Sequence, residues 1–172
     1  MKIAAFMDEV VYQRGAEKHF ISFINELAAR GNWVYVHSRT IDWRLFDIRA
    51  EIQQSSSRRD IVRNINESDA DVVFVMHFKS VWILPFIKKP CVYYLLEPPR
   101  AFHEQWLWDT LKPHKKVLVW LRGQIDRFVV RRYMQYGIAN SAYSADVGYR
   151  VYGRFFRVVY PGVDTLEFYP EE

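Results

Sequence analysis

Every position from Ile3 to Met7 is apolar, the pattern of a strand buried on both faces of a parallel sheet. A polar loop follows. Ala16, Phe20, Phe23, Ile24, Leu27 and Ala28 then recur at helical spacing, which predicts a helix over residues 17–30. Gly31 suits the left-handed residue that stops such a helix. Residues 33–37 read as a second strand, so the chain opens in the order strand, helix, strand. That order defines a right-handed crossover and predicts an α/β, Rossmann-like parallel sheet flanked by helices.

Residues 41–57 mix apolar and polar side chains with no clean period, and Ser55 to Ser57 offer caps for a helix through Ile61, Val62 and Ile65. Residues 71–77 and 90–96 predict two further buried strands, with a short helical turn near residues 81–86 between them. From Ala101 the pattern turns helical and breaks at Lys112-Pro113. A longer amphipathic helix follows, carrying Val117, Leu118, Leu121, Ile125, Phe128 and Val129 and stopping at Gly137. Residues 138–140 predict a very short strand. Ser141 or Ser144 caps a helix that reaches Gly153, and residues 156–160 form the last strand before Pro161-Gly162.

A chain of 172 residues that is half apolar suits one compact domain. No apolar run approaches the length that spans a bilayer, which predicts a soluble chain. Asp8 interrupts the amino-terminal run and no small-residue cleavage site follows, so a cytoplasmic location is expected rather than a secretory one. Cys91, the single cysteine, lies in a strand-like run and is expected to be a buried structural thiol. The net charge of +4 favours anionic partners without choosing among them.

Ligands of an open parallel sheet bind outside the carboxyl ends of its strands. After the first strand, Gly15 stands in a loop at the amino end of a helix, either as a phosphate contact or as a plain turn residue. His77 ends the third strand and is either a hydrogen-bonding ligand contact or a satisfied structural group. Glu97-Pro-Pro-Arg100 follows the fourth, and its two prolines hold a carboxylate and a guanidinium either at a site or in a local salt bridge. The three-glycine dinucleotide fingerprint, zinc-ligand spacings, a phosphate-binding loop and a serine hydrolase arrangement are all missing. Nicotinamide and flavin enzymes, hydrolases and nucleotide triphosphatases lose ground accordingly.

Arg14-Gly-Ala-Glu-Lys18, Glu97-Pro-Pro-Arg100, Ile138-Ala-Asn-Ser141, Val151-Tyr-Gly153 and Val158-Val-Tyr-Pro-Gly-Val-Asp164 occur in that order. Together they resemble glycosyltransferase family 4, the group 1 glycosyltransferases of GT-B fold, over nearly the whole chain. The resemblance implies the amino-terminal, acceptor-side domain of a retaining glycosyltransferase. Such an enzyme moves a hexose-type sugar from a nucleotide-sugar to a glycan, a lipid-linked or a small polar acceptor, as in polysaccharide biosynthesis. Residues 1–160 would form this domain and residues 161–172 the start of a linker to a carboxyl-terminal donor domain that lies outside the sequence, leaving the chain inactive by itself.

Carried over residue by residue, the resemblance implies substrate contacts at Arg14, Gly15, His77, Glu97, Arg100 and Ser141. Arg14 stands where many relatives have a second glycine. Leu96 replaces the histidine that commonly touches the donor sugar, and Glu97 is expected to take over part of that role. Front-face substitution assisted by the leaving phosphate implies no enzyme nucleophile, so no catalytic residue is assigned. No cofactor and no metal are expected, the diphosphate being met by basic side chains and helix ends. A non-catalytic binding module, or one subunit of a split transferase, is the rival reading.

Residues 101–136 combine Trp106, Trp108, Trp120, Phe128, Tyr133 and Tyr136 with Lys112, Lys115, Lys116, Arg122, Arg127, Arg131 and Arg132. This mixture fits either a core helix with a solvated basic face or a peripheral contact with an anionic membrane surface. Nucleic acid is not expected as a partner, because the charges are few and no binding motif accompanies them.

Overall fold

The computed structural model describes residues 1–11, 15–42, 44 and 50–162. In chain order, β1 (Lys2–Phe6), β2 (Glu9–Val10), α1 (Gly15–Ala29), β3 (Trp33–Ser38), β4 (Thr40–Ile41), β5 (Glu51–Gln54) and α2 (Arg58–Glu67) make the first half. The second half holds β6 (Val72–Met76), a 3-10 segment (Phe78–Phe86), β7 (Cys91–Leu95), α3 (Gln105–Thr110), α4 (Pro113–Tyr133), β8 (Tyr136–Ala139), α5 (Ala142–Tyr152) and β9 (Arg157–Val158).

Seven strands form one sheet in the order β5-β3-β1-β6-β7-β8-β9, and every pairing in it is parallel. From β1 the chain winds outward through β3 to β5, then returns to β6 and winds the other way. The strand order therefore reverses between β1 and β6, and the carboxyl ends of strands at such a reversal are where open α/β sheets bind ligands. The Rossmann-like class expected from the opening crossover is what forms.

Alternation along the central strands builds a core on each side of the sheet. Ala4, Phe6, Val73, Val75, Tyr93 and Leu95 pack with residues of α2, α4 and α5. Ile3, Ala5, Met7, Val34, Val36, Phe74 and Met76 pack beneath Phe20, Ile21 and Ile24 of α1. The Ser57 hydroxyl accepts from the Arg59 amide to cap α2, and Ser141 rather than Ser144 caps α5, accepting from the Ser144 amide at 3.1 Å. Gly31 and Gly153 take positive φ angles of 79° and 63° after α1 and α5, as helix stops demand. Cys91 is buried and unoxidised, and burial pushes its thiol up to about 12.

Four expectations need correction. Gly137 does not stop the long helix, which ends at Tyr133; it lies inside β8, where an added Cβ would come within 2.9 Å of Phe156 and Met134 side-chain atoms. Close packing, not backbone freedom, explains the glycine. The eighth strand starts two residues early, at Tyr136, and the ninth, Arg157–Val158, falls within the expected range but is shorter. Residues 41–57 contain β5, an edge strand that reads as aperiodic because no face of it is fully buried. Finally, α4 does not turn Val117, Leu118, Leu121, Ile125 and Phe128 into the core. Its buried positions are Gly123, Asp126, Val129 and Val130.

Asp126 is the oddity of that buried face. Its side chain is fully buried, and neither carboxylate oxygen finds a hydrogen-bond partner among the described residues. Burial pushes the carboxyl up to about 6, against the opposing pull of Arg122. A carboxyl that holds its proton more tightly in the folded state stabilises the fold most below its unfolded value near 3.8, and that contribution is lost as pH rises through about 6. Asp126→Asn is therefore expected to remove a fall in unfolding midpoint between acid and neutral pH, measured by urea denaturation. Parallel pH profiles for the two proteins would refute this.

Candidate functional site

The carboxyl ends of β1, β6, β7 and β8 lie side by side because those strands are neighbours in the sheet. Asp8, His77, Glu97 and Ser141 follow them within three residues or fewer. Three of the six residues anticipated as substrate contacts, His77, Glu97 and Ser141, are thus brought to one edge. Gly15 is the exposed first residue of α1, where an added Cβ would touch nothing. No steric need for glycine exists there. Arg14 lies outside the described residues.

His77 adopts φ 77° and ψ 146°, the one non-glycine positive φ among the described residues. Such a backbone is sparsely populated and persists only where surrounding bonds over-determine it. Here its amide donates to the Tyr94 carbonyl at 3.3 Å and its carbonyl accepts from the Ser80 amide at 3.0 Å. Burial, reinforced by nearby Lys79, pushes the imidazole down to about 4. The ring is consequently neutral near pH 7, suited to exchanging hydrogen bonds with hydroxyls rather than supplying charge to a phosphate.

Glu97 and Arg100 realise the local pair that their spacing allowed, with Arg100 Nε 3.4 Å from Glu97 Oε1 and 3.7 Å from Glu104 Oε1. His103 Nε2 lies 4.0 Å from the same Glu97 oxygen. Glu97, His103 and Glu104 bring three ligating atoms within 4.8 Å of one another, but the guanidinium already supplies that cluster with a positive charge. His103 and Glu104 also line a cavity of about 190 Å³ between α3 and α4, shared with Phe102, Trp108, Trp120 and Arg127. Ser141 is engaged in capping, and its neighbour Ser144 donates to the Leu96 carbonyl at 2.7 Å, tying the β8 turn to the β7 turn.

Sequence reasoning did not single out the strongest charge cluster at this edge. Asp8 directly follows the first strand and is 1% exposed. Arg39 and Arg58 each grip it with two contacts, at 2.9 and 2.9 Å and at 2.8 and 2.7 Å. Arg39 also reaches Glu9, which pairs with Lys79 at 2.9 Å. Burial alone would raise the Asp8 carboxyl, yet the bonds from Arg58 and Arg39 more than reverse this and hold it at about 2. Across the sheet, the Tyr94 hydroxyl lies 3.0 Å from His19 Nε2 and donates to the Val159 carbonyl at 3.1 Å. The placement of Asp8 just beyond a predicted strand was the available signal; its partners are distant in sequence.

Two solved structures share this architecture. HepE of Anabaena, solved with UDP-glucose, superposes with a TM-score of 0.66 at 17% identity, over 96% of this chain and 45% of HepE. An α-glucosyltransferase solved with UDP and a DNA 13-mer containing an HMU base gives 0.59 at 14% identity, over 97% of this chain and 44% of the other. The chain has the fold of one half of a GT-B protein. It spans under half the length of these structures. No family model and no curated protein sequence matches it.

Proposed function

We propose that this chain is the acceptor-side half of a two-domain retaining glycosyltransferase of family 4. It would move a hexose from a nucleotide-sugar to a glycan, lipid-linked or small polar acceptor in the cytoplasm, in polysaccharide biosynthesis. The carrying observation is the strand-order reversal between β1 and β6, in a fold that matches HepE solved with UDP-glucose over 96% of the chain. Residues 1–160 would form this half, and residues 161–172 would lead into the half that holds most of the donor.

Chemically, the site is built for positioning. Glu97 accepts hydrogen bonds from sugar hydroxyls, neutral His77 exchanges them, and the Ser141 turn and Arg100 border the same edge. The amino end of α1 at Gly15 meets the donor diphosphate with backbone amides. Holding donor and acceptor in attack geometry and stabilising the leaving diphosphate supplies the rate enhancement without a protein nucleophile, a metal or a cofactor.

Size separates this reading from its rival. An antibody raised against the 172-residue chain should detect a native polypeptide about twice its length, as two similar domains require. A polypeptide no larger than this chain would overturn the two-domain reading in favour of a binding module or a split enzyme with a separate donor subunit.

A further inference from the structure

The apolar stripe of α4 faces solvent. Val117, Leu118, Trp120, Leu121, Ile125 and Phe128 are 46 to 63% exposed, while the opposite face packs Gly123, Asp126, Val129 and Val130 into the body. At about 3.6 residues per turn, Val117, Leu121, Ile125 and Phe128 form one continuous line. Lys115 and Arg122 flank it on one side and Lys116 on the other, and Arg132 extends its end. The only acid of the helix, Asp126, points inward. No helix among the described residues is long and apolar enough to cross a membrane.

We propose that α4 lies flat on an anionic lipid surface, with its apolar stripe in the acyl boundary and its cations at the headgroups. Apolar side chains bounded by lysine and arginine on a helix in the interface plane are what such a surface binds. The charge decides among occupants. A second copy of this chain would bring like charge against like, whereas anionic lipid complements it. Trp120, half-exposed where the α3–α4 cavity borders the stripe, has an amphipathic ring that suits the depth of the headgroups. The proposal stands apart from the transferase reading, because it rests on α4 and not on the strand ends.

The 172-residue chain should float with vesicles of phosphatidylcholine and phosphatidylglycerol and not with phosphatidylcholine alone, and salt should weaken the binding. Lys115→Ala with Lys116→Ala is expected to weaken it about 25-fold, roughly fivefold per cation. Leu121→Asp with Phe128→Asp should weaken it at least about tenfold. Both positions are exposed, so the circular dichroism spectrum should not change. Trp120→Phe should remove most of the fluorescence blue shift on vesicle binding. Absence of binding to anionic vesicles at low salt overturns the proposal, as does binding that the aspartate pair leaves intact. Self-association or binding to random DNA that depends on the stripe, without vesicle binding, overturns it equally.

Discussion

Asp8→Asn lowers the stability of the fold by about 2 to 3 kcal/mol at neutral pH, a fall in Tm of roughly 4–12 °C for a chain of this size. Two guanidinium groups converge on a carboxylate that is 1% exposed, so neutralising it removes four charge-assisted bonds and leaves Arg39 and Arg58 in mutual repulsion. Both arginines keep a part of their surface in water, which limits the loss below that of a fully buried network. The pH dependence carries the sign. With a folded value of about 2 against 3.8 unfolded, the contribution is complete above 3.8 and disappears as pH falls through about 2. Urea unfolding of the two proteins should therefore differ most at neutral pH and converge in acid. Equal stability at pH 7 would mean that the triad is ornamental to the fold.

Glu97→Gln, made in the complete two-domain protein, is expected to reduce kcat/KM for sugar transfer about tenfold to a hundredfold, the range for one charge-assisted hydrogen bond. Stability should be nearly unchanged, because the partner Arg100 is 60% exposed and the pair adds little to folding. Steady-state kinetics on the variant, with a thermal melt as control, distinguish a substrate contact from a structural pair. Transfer at the parent rate would remove Glu97 from the site and return it to its salt bridge with Arg100.

Legibility followed locality. β1, β6 and β7 were readable because a central parallel strand must be apolar on both faces, a constraint visible in five consecutive residues. The caps Ser57 and Ser141 and the stops Gly31 and Gly153 were readable because their chemistry acts within one turn. β5 was not, since an edge strand carries no obligatory pattern, and β2 and β4 are too short to show one. Gly137 misled because its cause is close packing against Met134 and against Phe156, nineteen positions later, rather than a local backbone angle.

The same distinction divides the site. His77, Glu97 and Ser141 could be located simply by following strands to their ends. Their surroundings could not: Asp8 meets arginines 31 and 50 positions away, and Tyr94 meets His19 at a separation of 75. The periodicity of α4 was equally clear in the sequence. Periodicity reports that a face is apolar, not what it faces, and only the packing of Asp126 and Val130 showed that the stripe points outward.

The most direct measurement is sugar transfer by the native protein, isolated from its source with antibody and offered a panel of labelled nucleotide-sugars beside the 172-residue chain alone. The native protein should incorporate label into a glycan, lipid-linked or small polar acceptor, and the isolated chain should incorporate none. Incorporation from no donor by the native protein, or turnover by the isolated chain, would contradict the two-domain transferase reading.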